Sequence, residues 1–530
     1  MSLCSPGPTG ARMPWLRAGL MLAAAALLGG CFSLPTRPPL PPSPAMDAVA
    51  PGPLAALAPP LPADAGDEAC GLRLMPEGAT AFNARIALIR QARRSIDAQY
   101  YILEADGVGA RFLRELLDAS RRGVRVRLLV DGLYLAGKDE LLDQLAAQPN
   151  FEVRVFNPLP VQRGPLLWRL AWSVGELSRI DHRMHNKLFV VDGSVAVMGG
   201  RNMADEYFMQ SGTANFVDMD VLVTGPLVRS LSARFGDYWA SDAVWTVRQL
   251  RPTPPPDDPA RLDALLKAAL PGLVPERERD VLGQPPVAPE LAAGRLGQTP
   301  ARARVYADTP DKMALGDDQA RYADSVTAHT LAAIAAAREQ VILVSPYFIP
   351  GERGMAQLQA NAARGVRTMV VTNALDATDE PLVHAHYALY RRRLLNLGVN
   401  VFELGARLAP GNRQLGDFGA SSGRLHAKLA LIDDRQLFVG SMNLDGRSAR
   451  LNTEIGLIID SPVLAAQFHR LAPVRSFDAY ELRLSAGGDM EWVKRDLQGG
   501  EEVLKDEPGA VWWRSLKTML LRPLVPEGLL

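Results

Sequence analysis

Arg122-Gly123-Val124-Arg125-Val126-Arg127-Leu128-Leu129-Val130 and, far downstream, Arg364-Gly365-Val366-Arg367-Thr368-Met369-Val370-Val371 are two copies of one pattern. In each, a glycine stands where a helix ends and a left-handed residue is needed. The apolar, β-branched run after it reads as a buried parallel strand. Upstream of each copy lie a helical pattern (Gly109 to Arg122; Gly354 to Arg364), a β-rich run (Ser95 to Ile102; Gln340 to Ile349) and a second helical pattern (Ala81 to Arg93; Tyr322 to Ala337). Downstream come a helix (Asp139 to Ala146; Pro381 to Leu397) and a strand (Phe151 to Phe156; Val399 to Leu404). This duplicated alternation predicts an α/β fold of two similar α/β/α lobes related by a pseudo-twofold axis. The lobes are expected at residues 67–250 and 301–475, separated by a Pro-rich, charged linker or insertion at 251–300 with a helix near Pro259 to Leu270.

Each half then carries the same chemical signature. The first is His185-Asn186-Lys187, four residues, Asp192, then Gly199-Gly200-Arg201-Asn202; the second is His426-Ala427-Lys428, four residues, Asp433, then Gly440-Ser441-Met442-Asn443. Side chains two apart on a strand share a face, so His and Lys of each pair project together. The residue pairs at 192–193 and 433–434 read as hairpin turns. The return strands bring Asn202 and Asn443 back toward the histidines. A single His-x-Lys pair means little; two, each with the same downstream residues at equivalent places of a repeat, mark a site. Asp218 and Glu454 each open an apolar strand and align in the repeat, although Asp220 could serve in place of Asp218. Asp192 and Asp433 read as structural residues at turns. His384 follows a stretch at the C-terminal end of a parallel strand, where open α/β sheets place ligands, and is a candidate site-lining residue. A capped helix start explains the neighbouring Asp379 equally well.

This constellation resembles the phospholipase D superfamily, in which the active site lies at the interface of two such lobes. The finer motifs are similar to those of bacterial cardiolipin synthases of the C type: Arg183 to Lys187, Gly199 to Tyr207, Ser345 to Pro350, Gly440 to Ser448 and Leu451 to Glu454. The chemistry suits the residue types. A phosphodiester anion repels nucleophiles until its charge is neutralised; Lys187 and Lys428 supply positive charge, and Asn202 and Asn443 amide donors. One imidazole attacks phosphorus while the other protonates the leaving oxygen and later activates the acceptor. The resemblance assigns attack to His185 and acid/base work to His426, with Asp218 and Glu454 orienting the rings; spacing alone does not distinguish the histidines. No cluster of carboxylates and histidines stands at metal spacing, so neither a metal nor another cofactor is expected.

The resemblance implies phospholipid substrates. A phosphatidyl group from phosphatidylethanolamine or phosphatidylglycerol would pass to the terminal hydroxyl of a second phosphatidylglycerol, giving cardiolipin, at a membrane and with an auxiliary protein where one is required. A phospholipase D hydrolase releasing phosphatidic acid shares every catalytic residue. A metal-independent nuclease fits the histidine pair, but Lys plus Arg equal Asp plus Glu at 58 each, without the basic excess of a nucleic-acid partner. Transfer in place of hydrolysis calls for a dry, apolar entrance. Pro165 to Trp172 and Trp512 to Arg522 are apolar, Trp-bearing segments suited to a bilayer surface, and the tail 476–530 is read as possibly membrane-contacting.

Arg12 and Arg17 precede the apolar run Ala18 to Leu28, and Leu28-Gly29-Gly30-Cys31 resembles a bacterial lipobox. Residues 1–30 are thus expected to be a signal peptide, counted from Met1 or Met13, with Cys31 lipidated. Residues 31–66 form a Pro/Ala-rich tether. The expected location is the bacterial cell envelope, lipid-anchored and facing the periplasm. Cys70 remains as one free cysteine.

Overall fold

In the first half the strands lie side by side in the order Ala69–Met75, Asp220–Thr224, Val195–Gly199, Leu188–Val191, Ser95–Tyr100, Arg125–Asp131, Phe151–Phe156 and Val244–Thr246. In the second half the same order recurs: Thr299–Ala307, Ile455–Asp460, Gln436–Gly440, Leu429–Ile432, Gln340–Val344, Arg367–Asn373, Asn400–Leu404 and Ala479–Leu484. The computed structural model describes residues 34, 37–40, 52–61, 63–253, 256–314, 322–407, 421–471, 479–495, 499–510, 525 and 527. The two sheets join through their equivalent first strands, which pair antiparallel from Ala69 against Arg302 to Leu72 against Thr299. An antiparallel join of equivalent strands is what a pseudo-twofold axis requires. The α/β expectation of two similar lobes therefore holds.

Burial follows the layers. One core lies on the outer face of the first sheet under the helices Gly78–Gln91 and Gly107–Arg121, and a second lies on the outer face of the second sheet. A third core runs through both lobes, drawing Leu72, Leu129, Met198 and Val221 from the first and Ile342, Val371, Leu429 and Leu457 from the second. Each such fully buried side chain contributes roughly 1.5–3 kcal/mol, so the lobes are held as one body by apolar contact. Cys70 sits at the junction, its thiol donating to the Ala301 carbonyl, and burial pushes it up to about 12. That thiol is inert.

Both expected hairpin turns form. Asp192 and Gly193, and Asp433 and Asp434, all have positive φ, the backbone of a tight two-residue hairpin. The Asp192 carboxylate accepts from the backbone N–H groups of Arg93, Arg94 and Ser95, and Asp433 from those of Arg338, Glu339 and Gln340. Each aspartate fastens its hairpin to the start of the neighbouring strand.

Two further segments are folded onto the lobes. The 251–300 stretch is folded against the first lobe: Asn83 exchanges hydrogen bonds with Val274, and Arg73 is ion-paired to Glu290. Its helices Pro259–Leu265 and Val287–Ala292 bury Leu262, Val287 and Leu291. In the tail 476–530, the strands Ala479–Leu484, Met490–Arg495 and Glu501–Leu504 extend the second sheet. Trp492 is buried there, donating to Glu403 at 3.0 Å, because its indole N–H finds an acceptor inside the sheet. This part of the tail thus continues the second sheet, with Leu482, Trp492 and Val493 buried. Trp512 and Trp513, Cys31 and the tether residues 35–36, 41–51 and 62 lie outside the described residues, while Leu54 and Leu57 of the tether are buried against the first lobe. Among the described residues no helix is long and apolar enough to cross a membrane.

Candidate active site

The two His-x-Lys segments meet at the junction of the lobes, and each is clamped by the other lobe. The His185 N–H donates to Thr453 O, and the Thr453 N–H donates to Arg183 O, both at 2.9 Å. In mirror fashion the His426 N–H donates to Val217 O at 2.8 Å, where Ala214–Val217 pairs parallel with Ser422–Leu425. The residue after each clamp is the acid. His185 Nδ1 therefore lies 2.9 Å from Glu454, and His426 Nδ1 lies 2.7 Å from Asp218. Each histidine takes its carboxylate from the opposite lobe. With Nδ1–H donating to a carboxylate, Nε2 is left with its lone pair for phosphorus or for a proton.

The sequence alternative at the first acid is resolved by its neighbours. Asp220 is ion-paired to Arg85 at 2.9 Å and Arg201 at 3.4 Å inside the first lobe, and it is Asp218 that meets His426 Nδ1. Asp218 presses against the chain at Gly200, where a Cβ would come within 2.1 Å of its carboxylate. At the equivalent place in the second lobe stands Ser441, whose hydroxyl donates to Glu454, joined by that of Ser448 at 2.7 Å. Glu454 thus receives donors from three side chains.

Electrostatics follow from burial. Lys187 and Lys428 are both buried, each donating to the carbonyl of its own histidine at 2.7 and 2.6 Å. Burial holds Lys187 well below its ordinary range and Lys428 down to about 8. Burial likewise lowers His185 to about 4, against the pull of Glu454, and holds His426 far below the usual imidazole range, aided by Lys428. Burial pushes the Asp218 carboxyl up; Glu454, despite its burial, stays low because His185 and Lys187 face it. Two lysines thus share one buried pocket with two carboxylates and with two imidazoles whose neutral form burial favours.

The remaining expected residues divide. Asn202 is buried with both ends of its amide engaged, Nδ2 donating to Tyr207 Oη at 2.8 Å and Oδ1 accepting from Ile102 N–H at 3.1 Å. Asn443 is 5 % exposed and its Oδ1 has no hydrogen-bond partner among the described residues. His384 is not brought to the pair among the described contacts: its Nε2 is taken by Glu507 at 2.7 Å, beside Arg391, in a buried network with Glu403. That network ties the helix Pro381–Tyr387 to the C-terminal hairpin, through a glutamate too distant in sequence to anticipate. Sequence reasoning also missed the aromatic walls. The Tyr101 ring meets His185 edge-on at 5.1 Å, and Tyr207 and Phe216 flank His426 at 5.1 and 4.9 Å. Tyr101 lies within the first β-rich run, immediately after the strand Ser95–Tyr100 ends.

Two equivalent lobes that pool one histidine, one lysine and one acid each across a shared junction define a phospholipase D-like fold. Comparisons agree. The family model described as "Cardiolipin synthase, PLD-like domain" matches residues 86–239 and 330–472. Cardiolipin synthase C of Escherichia coli (strain K12) is 34% identical over 87% of this chain and 96% of its own length. A cardiolipin synthase A of Pseudomonas fluorescens is 30% identical over 73% of this chain and 64% of its own. Among solved structures, the phosphatidylserine synthase of Haemophilus influenzae Rd KW20 shares the fold with a TM-score of 0.56 and 16% identity, over 89% of this chain and 97% of that one. The chain belongs to the cardiolipin synthase family of phospholipase D-like proteins.

Proposed function

We propose that the protein is a phosphatidyltransferase that makes cardiolipin from phosphatidylglycerol and a second phosphatidylglycerol or phosphatidylethanolamine, through a covalent phosphohistidine. The observation that carries this reading is the crossed pairing of two buried histidines with two buried acids in a site that holds two lysines. His185 Nε2 attacks phosphorus: the N–P bond forms, the bond to the head-group oxygen breaks, and His426 gives that oxygen its proton. Ethanolamine or glycerol leaves. The hydroxyl of phosphatidylglycerol then attacks, its proton passing to His426 as the N–P bond breaks. A phosphodiester anion beside His426 favours the protonated ring, so His426 carries the proton that it gives to the leaving oxygen. Lys187, Lys428 and the Asn443 amide stabilise the charge on the non-bridging oxygens.

Transfer in place of hydrolysis requires the site to open toward lipid. The helix Leu166–Ala171, next to the first motif, supports this because its polarity is inverted. Arg169 is 2 % exposed and ion-paired to Asp139, while Leu167 is 81 % and Trp168 55 % exposed. A helix facing water would turn the arginine outward; one resting on a bilayer gains from burying Leu and Trp. With Cys31 lipidated and a Pro/Ala tether behind it, the catalytic body would work at the periplasmic face of the cell envelope.

The test is to incubate the purified protein with liposomes of phosphatidylglycerol and phosphatidylethanolamine and to identify the products by mass spectrometry. Cardiolipin with released ethanolamine or glycerol is expected, and leaving out one lipid identifies the donor. Phosphatidic acid as the sole product makes the enzyme a hydrolase and refutes transfer.

A further inference from the structure

Two places before each histidine of the pair stands an arginine, Arg183 before His185 and Arg424 before His426. The two lobes use it differently. Arg183 is fully buried and wholly engaged: Nη1 pairs with Asp131 at 3.0 Å, Nε donates to His182 O and Nη2 to Asn157 O. Asp131 ends the strand Arg125–Asp131 and also accepts from the Met184 N–H. At the equivalent end of Arg367–Asn373 the second lobe has Asn373. Its Oδ1 keeps the backbone bond, accepting from the Leu425 N–H at 2.8 Å, but its Nδ2 donates to Leu425 O at 2.9 Å. No carboxylate oxygen is left there for an arginine. The Arg424 guanidinium accordingly makes no hydrogen bond or ion pair among the described residues, and its Nε is buried without a partner.

Arg424 nevertheless belongs to the site. It lies opposite Phe216 in the parallel pairing of Ser422–Leu425 with Ala214–Val217, so the two side chains share a sheet face. The Phe216 ring is one of those that flank His426. Glu206 of the first lobe feels the Arg424 charge, yet no ion pair forms, and burial pushes that carboxyl up. A half-buried guanidinium without a counter-ion calls for an anion. The reacting phosphodiester already has Lys187 and Lys428. The acceptor phosphatidylglycerol brings a second phosphodiester, three carbons from the hydroxyl that attacks. In an in-line reaction that hydroxyl arrives opposite the His185 nitrogen, on the side served by His426. We infer that Arg424 binds the acceptor lipid's own phosphate and so favours a phospholipid alcohol over water or an alcohol without phosphate. The fork of its guanidinium suits two oxygens of a phosphodiester. This inference rests on the phosphatidyl-transfer reading.

Wild-type, Arg424→Gln and Arg424→Lys proteins are to be assayed with phosphatidylethanolamine as donor and, in turn, phosphatidylglycerol or free glycerol as acceptor. Glycerol offers the same hydroxyl without the phosphate. Arg424→Gln should raise KM for phosphatidylglycerol roughly ten- to hundredfold, the scale of one hydrogen bond to a charged group. Transfer to glycerol should suffer far less, and Arg424→Lys should recover part of the loss. An unchanged KM for phosphatidylglycerol, or an equal loss with both acceptors, overturns the assignment of Arg424 alone. Wild-type protein that makes no cardiolipin overturns the transfer reading, and the role of Arg424 with it.

Discussion

The two lobes share strand order and motif, yet their acids are held differently. Glu454, serving His185, is a long side chain fixed by Ser441 and Ser448 and kept ionised by His185 and Lys187. Asp218, serving His426, is one carbon shorter, lies against Gly200, accepts from the Met219 N–H, and is pushed up by burial. A firmly ionised carboxylate behind an imidazole favours a ring that must stay neutral and then bear positive charge as it bonds to phosphorus. A carboxylate with a weaker hold on its charge suits a ring that passes a proton back and forth. The halves share one plan, and the few residues that differ around each acid would, in the proposed mechanism, separate the roles.

The comparison can be broken most forcefully at the histidines. His185→Ala and His426→Ala should each cost on the order of 10⁴-fold or more in turnover, as removal of a member of a catalytic unit does, with circular dichroism unchanged. Substantial activity in either variant would remove the two-histidine scheme. Next come the acids. Glu454→Gln should slow transfer by about 10³-fold or more, by analogy with losing the carboxylate behind a catalytic imidazole, and Asp218→Asn by less. Equal losses in steady-state assays would erase the proposed difference between the lobes. The serines sharpen the point: Ser441→Ala and Ser448→Ala should each cost about tenfold, the value of one hydrogen bond to a charged group, and the pair more than either.

The smallest effect is one of pH. Lys428, lowered to about 8, is charged below that pH and neutral above it. The kcat/KM profile, which reports the free enzyme, should therefore decline as pH rises through about 8. Lys428→Arg, which stays charged, should lower the plateau yet move that decline to higher pH. An unmoved limb would mean that another group sets it.

Much of this was legible in the chain. Period and duplication give the lobes, because a repeated glycine-then-strand pattern has one packing solution, and the hairpin aspartates follow from turn chemistry. The site residues could be named one by one, but not paired. Nothing along the sequence says that Glu454 serves His185 while Asp218 serves His426, because the crossing is made by backbone bonds between lobes, at Thr453 and Val217. The same limit explains His384, captured by Glu507, and Trp492, drawn into the sheet by Glu403; each partner is set by tertiary packing. Ser448 was visible only as part of a motif, and its contact with Glu454 depends on how the helix Gly446–Arg450 turns back.

The most direct test of covalent transfer is to mix wild-type and His185→Ala protein separately with phosphatidylethanolamine liposomes, quench in base, where phosphohistidine survives, and map the adduct by mass spectrometry. A phosphatidyl adduct on the peptide containing His185 in wild-type protein, absent when His185 is replaced by Ala, is the predicted result. An adduct on His426, or cardiolipin formed at full rate with no adduct on any histidine, would contradict it.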